Sequence, residues 1–116
     1  IVEGLAPQPG EIVIQKPKAS VFFATNFLGT LSYYQVDTLI VTGANTSGCI
    51  RATVVDAASY NYYVVIPEEC VSDRAKVPHK VNLFDMHMKY ADVVPMAEVL
   101  NYLKALPSVK EKHDTT

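Results

Sequence analysis

The chain has 116 residues, 49% of them apolar, with ten Lys and Arg against twelve Asp and Glu and a formal net charge of -2. At this length one domain is the ceiling, and the scattered charges form no basic stripe of the kind that binds nucleic acid. No apolar run is long enough to span a bilayer, the N-terminus lacks a signal pattern, and Cys49 and Cys70 alone are a weak disulfide signal; a cytoplasmic protein with reduced thiols is expected, with neither a membrane nor a nucleic-acid partner.

The first residue is Ile1 rather than Met, and Glu3 to Gly10 is a turn-rich stretch more typical of a connection than of a start, so residues are expected upstream. Glu11 to Gln15, β-branched and bounded by Gly10 and Pro17, reads as a strand. Asn26 can cap a short helix over Phe27, Leu31 and Tyr34. Asp37 to Thr42 is apolar without alternation, as in a parallel strand covered on both faces, and ends at Gly43. A loop, Ala44 to Gly48, feeds a helix in which Ile50, Val54, Ala57 and Ala58 recur at helical spacing. Tyr62 to Ile66 is a further strand stopped by Pro67. Pro78 opens a second helical pattern through Val81, Leu83, Phe84 and Met88, Asp92 to Val94 makes a short strand, and Met96 to Leu106 closes as an amphipathic helix. Residues 107–116 read as a polar, solvated tail. Alternating strands and helices with short connections predict an α/β fold with a mostly parallel, doubly wound sheet.

The stretch Val41 to Thr53 carries the chemistry. It puts Cys49 in the first turn of a helix after a buried strand, where backbone N–H groups and the helix dipole favour a thiolate nucleophile. A small buried cysteine at a helix start fits the same spacing. Lys16, Lys18 and Arg74 taken singly are ordinary surface charges, although Asp73-Arg74 follows a strand at the sheet edge where open α/β folds bind ligands. His79, His87 and His113 lack the spacing and companion ligands of a metal set, so no metal and no cofactor is expected.

Thr46-Ser47-Gly48-Cys49-Ile50-Arg51-Ala52-Thr53, following a strand that ends in Thr42-Gly43, resembles the nucleophile segment of the isochorismatase-like cysteine hydrolases. Lys16 to Thr25, Asn82 to Asp85 and Lys89 to Val94 are similar to further segments of that family, so the likeness covers nearly the whole chain. It implies an isochorismatase-like hydrolase fold, with residues 1–106 as the C-terminal part of a single domain whose N-terminal strands are absent. By the same likeness Cys49 is the nucleophile and Lys16 the catalytic lysine. The backbone N–H groups of Asn45 and Cys49 form the oxyanion hole, with a cis peptide between Ala44 and Asn45. Arg74 clamps a substrate carboxylate, a task that suits its guanidinium fork.

The implied reaction is cysteine-dependent hydrolysis of a linear amide or ureido C–N bond in a small carboxylate-bearing substrate, N-carbamoylsarcosine-like or maleamate-like, releasing ammonia through a thioester. The family's third catalytic residue, an Asp at the end of its first strand, has no match here: Asp37 precedes its strand and Asp56 lies within a helix. In a strand order 3-2-1-4-5-6, Glu11 to Gln15 corresponds to the third strand and Thr38 to Thr42 to the fourth. A companion N-terminal segment or chain is therefore expected to supply the intervening strands and an Asp within reach of Cys49, and the complete unit to form a homo-oligomer. The alternatives are a non-catalytic binding or assembly module of the same fold, and nicotinamidase-like or isochorismatase-like hydrolysis; Cys49 speaks against the ether-cleaving branch.

Overall fold

The computed structural model describes residues 1–107. Helix α1 (Phe27–Tyr33) leads to strand β1 (Thr38–Ile40), the short strand β2 (Gly43–Ala44), a widened turn over Thr46–Ile50 and helix α2 (Arg51–Ser59). Strands β3 (Tyr63–Pro67) and β4 (Val71–Ser72), helix α3 (Lys76–Lys89), strand β5 (Asp92–Val94) and helix α4 (Met96–Ala105) follow. All strand pairs are parallel. The main sheet has the order β1-β3-β5, and β2 pairs with β4 in a second, two-stranded sheet. Because β2 follows β1 and β4 follows β3, this small sheet prolongs the carboxyl ends of the two strands before it.

The apolar spacing in α2 and β3 explains where the core forms. Ile50, Val54 and Ala57 recur on one side of the helix, and Val64 and Ile66 alternate on one face of β3. They meet Val71, Leu83 and Met86 in one cluster, closed at its other end by Phe22 and Leu31. Full burial of an aliphatic side chain of this size contributes about 1.5–3 kcal/mol. The opposite face of the sheet is less covered than the unbroken apolar run of β1 predicts. Ile40 remains 37% exposed, and α4 leaves a groove of about 390 Å³ lined by Ile40, Val65, Val94 and Tyr102, none of them in the Cys49 turn.

Several details differ from expectation, and one expected strand is missing: β1 is shorter than the run Asp37 to Thr42, and β3 begins at Tyr63 and includes Pro67 instead of stopping before it. Helix α3 begins at Lys76, two residues before Pro78; proline is tolerated in a first turn, where N–H groups have no acceptor inside the helix. Asn26 precedes α1 but makes no side-chain cap, and its carbonyl accepts from the Thr30 N–H and hydroxyl instead. Glu11 to Gln15 is not a strand. Its β-branched residues favour extended backbone, but a strand also needs a hydrogen-bonded neighbour, and Ile12 and Val13 are exposed. The segment does not pair with β1, whose one strand neighbour among the described residues is β3. The polar tail expected at residues 107–116 falls, after Pro107, outside the described residues.

Candidate active site

Just beyond β1 the Val41 N–H donates to the Val65 carbonyl at 2.9 Å, and the chain then turns at Gly43. Gly43 has φ +122, a conformation that side-chain-bearing residues rarely adopt, so the Thr-Gly at this strand end meets a backbone requirement. The peptide bond between Ala44 and Asn45 is cis. The Asn45 carbonyl then accepts from the N–H groups of Gly48 at 3.0 Å and Ile50 at 3.2 Å. The second of these closes a ring one residue wider than an α-helix allows, so Cys49 stands in a π-helical turn and not in the first turn of a regular α-helix. Ile50 is buried in the core, while Cys49 is partly exposed and carries a free thiol, as does Cys70.

Contacts from the β4–α3 segment hold this turn. The register Gly43↔Val71 and Ala44↔Ser72 brings Asp73 beside the residues that follow Ala44. One Asp73 carboxylate oxygen accepts from the Ser47 N–H at 2.8 Å and from its hydroxyl at 2.5 Å; the other accepts from the Arg74 N–H at 2.7 Å. The Ser47 hydroxyl, then the Ser47 N–H, hold the Asp73 carboxyl below the ordinary aspartate value against the opposing effect of desolvation, with the Arg74 and Ala75 N–H groups adding lesser contributions to the lowering. Thr46 is fully buried, and its hydroxyl meets His79 Nδ1 at 2.8 Å. Neither contact follows from local sequence, because the partners lie 26 and 33 residues apart. The available signal was the run of hydroxyl residues before Cys49, which need partners once the turn closes.

Arg51, two positions after Cys49, is engaged in packing. Its guanidinium donates to Asn82 Oδ1 at 2.9 Å, pairs with Asp85 at 2.8 Å and lies over the Tyr90 ring. Lys89 also pairs with Asp85, so α2 and α3 are joined by one carboxylate between two cations. First Lys89, then Arg51, lower the Asp85 pKa, and Asp85 in turn raises that of Lys89.

The structure thus gathers Asn45, Cys49, Asp73 and Arg74 at the carboxyl end of the sheet, where open α/β folds place their ligands. The Arg74 side chain is exposed there. Lys16 is exposed on its loop, its ammonium donating to the Ala19 carbonyl at 3.3 Å. The loop is tethered to helix α2 where the Val21 N–H donates to Thr53 Oγ1 at 3.2 Å, and Phe22 anchors it against Phe27 and Tyr60. Among the described residues no hydrogen bond joins Lys16 to the Cys49 turn, and no group of three or more His, Cys, Asp or Glu converges on one point. His87 Nδ1 accepts from the Val93 N–H at 3.0 Å; His113 lies outside the described residues.

A parallel α/β sheet with a cysteine on a widened turn at its carboxyl end defines a class of hydrolase-like folds, and comparison with known proteins makes it specific. The Isochorismatase domain profile matches residues 1–98, and the chain belongs to the isochorismatase family. It is similar to maleamate amidohydrolase of Pseudomonas putida, 45% identical over 104 residues that cover 90% of this chain and 49% of that protein. It is also similar to N-carbamoylsarcosine amidase of an Arthrobacter species, 41% identical over 96% of this chain and 42% of that protein. The chain spans about half the length of these curated relatives. An isochorismatase family protein from Desulfovibrio vulgaris superposes with a TM-score of 0.84 at 36% identity, over 90% of this chain and 55% of that one. No described helix is long and apolar enough to cross a membrane.

Proposed function

We propose that the chain is part of a cytoplasmic cysteine-dependent amidohydrolase acting on a linear amide or ureido group of a small carboxylate-bearing substrate, maleamate-like or N-carbamoylsarcosine-like. The observation that carries the reading is the juxtaposition of the Cys49 turn with Asp73-Arg74 across the β2–β4 pairing, in a chain whose similar proteins carry amidase names. The Cys49 thiolate attacks the carbonyl carbon, and the oxygen takes up negative charge facing the Asn45 and Cys49 N–H groups. The C–N bond breaks as the leaving nitrogen gains a proton, with Lys16 assisting, and ammonia departs. Water then attacks the thioester, releasing the acid and regenerating the thiol. Arg74 holds the substrate carboxylate through paired N–H donors.

The carboxylate that takes the thiol proton is assigned in this reading to a segment outside these 116 residues, packed along the free edge of β1, and the complete unit to a homo-oligomer. Among the described residues β1 pairs on one side only and the mostly exposed Glu11–Gln15 segment pairs with no strand, which supports that assignment. The deciding experiment is ammonia release from maleamate, N-carbamoylsarcosine and a neutral amide of similar size. Turnover of a carboxylate-bearing amide, lost on Cys49→Ser, is expected. Iodoacetamide should label Cys49 much faster than Cys70 at neutral pH; equal labelling with no turnover of any amide would instead favour a non-catalytic module.

A further inference from the structure

The Cys49 turn is held by a residue to which the proposed reaction assigns no part. Asp73 is bidentate in a particular sense: one oxygen takes both donors of Ser47, and the other takes the Arg74 N–H. Ser47 stands two residues before the nucleophile, and Arg74 is the candidate carboxylate clamp. A single carboxylate therefore spans the two halves of the site, one on the loop after β2 and the other on the loop after β4. We propose that Asp73 is a positioning residue that sets the distance between the nucleophile and the carboxylate clamp, and so the fit of the substrate between them.

This inference rests on the reading of Cys49 and Arg74 given above, and three features favour it over a merely structural role. The contacts lie at the surface, with Ser47 exposed and Asp73 partly so, where little apolar burial depends on them. Neighbouring Thr46, itself fully buried, has a separate anchor in His79, so the turn's attachment to the core does not rest on Asp73 alone. Three N–H or O–H donors converge on the carboxylate, which keeps it ionised and unsuited to taking up a proton from the thiol. Asparagine is nearly isosteric but has one acceptor oxygen and an NH2 in place of the other, so it cannot accept from the Ser47 N–H on one side and the Arg74 N–H on the other. A displacement of about 1 Å between reacting groups can cost on the order of 10²-fold in rate.

The test is a double-mutant cycle in the intact enzyme with Asp73→Asn and Ser47→Ala, read as kcat and KM for maleamate and as the rate of Cys49 alkylation by iodoacetamide. Asp73→Asn should lower kcat about tenfold or more and also raise KM, because both halves of the site shift. Ser47→Ala, which leaves Asp73 and Arg74 joined, should lower kcat at least threefold with KM little changed and should slow alkylation of Cys49. The double variant should fall no further than Asp73→Asn alone, and the thermal midpoint should move by only a few degrees. Unchanged kcat in Ser47→Ala, or losses that simply multiply in the double variant, overturns the inference. Should Asp73→Asn fail to fold, Ser47→Ala and its alkylation rate decide alone. Turnover retained by Cys49→Ser would instead refute the nucleophile assignment, so the two failures are distinguishable.

Discussion

Cys49 and Lys16 are assigned to one reaction but sit in segments held in different ways. The Cys49 turn is tied on every side: Ile50 is in the core, Thr46 is buried against His79, Ser47 is gripped by Asp73, and Gly43 and Ala44 pair with β4. Residues 11–18 carry mostly exposed side chains, make no strand pairing, and join the rest of the molecule through Ser20 to Phe22 and the Val21–Thr53 bond. The geometry of the Cys49 turn is thus set by contacts within the described residues, whereas Lys16 sits on a largely exposed loop with one hydrogen bond, to Ala19.

That contrast can be broken most sharply at Cys49. Cys49→Ser should reduce ammonia release by about 10³-fold or more while the circular dichroism spectrum stays unchanged, since nucleophilicity is lost with little change in volume. Normal turnover in this variant would move the chemistry out of the better-held region. Lys16→Ala should lower kcat by about 10²-fold, the range of a general acid or base, and Lys18→Ala should have little effect. Equal losses for the two lysines would mean that the loop matters and the Lys16 ammonium does not.

Arg74→Ala should raise KM for carboxylate-bearing amides by about tenfold or more and leave neutral amides nearly unaffected, because a charge-assisted fork is lost only where a carboxylate is present. Equal changes for both substrates would remove Arg74 from substrate recognition. The smallest effect belongs to the Asp85 clamp between α2 and α3. Its lowered pKa means that its stabilisation is complete above the ordinary carboxylate value and is lost as pH falls through the folded value. The raised Lys89 pKa means that its share is complete below the ordinary lysine value and is lost as pH rises through the folded one. At neutral pH Asp85→Asn should lower the thermal midpoint by about one or two degrees, in a salt-sensitive manner, because both partners reach solvent. The difference from the wild type should shrink in acid; a gap that persists there would show that the charge of Asp85 is not its source.

The order of the helices and main-sheet strands beyond residue 26 was legible because helical and strand periodicities report local burial, as Ile50, Val54 and Ala57 do on α2. The family likeness could be read for a related reason, since Thr46 to Thr53 is one contiguous run. Strand β4 was not legible: two residues carry no periodicity, and Val71-Ser72 becomes a strand only because β2 lies beside it. The reverse holds for Glu11 to Gln15, whose composition is that of a strand but whose ladder depends on a neighbour outside the segment.

By itself, then, the sequence determined an alternating α/β order, a cysteine placed after a strand, and the segments that carry Lys16 and Arg74, all of them written within single short stretches. Only the tertiary structure decided that the cysteine occupies a widened turn, that Asp73 joins Ser47 to Arg74, and that Thr46 is anchored on His79. The last two outcomes depend on hydrogen bonds between residues 26 or more positions apart, whose partners are brought together by the packing of the elements and not by the residues nearby.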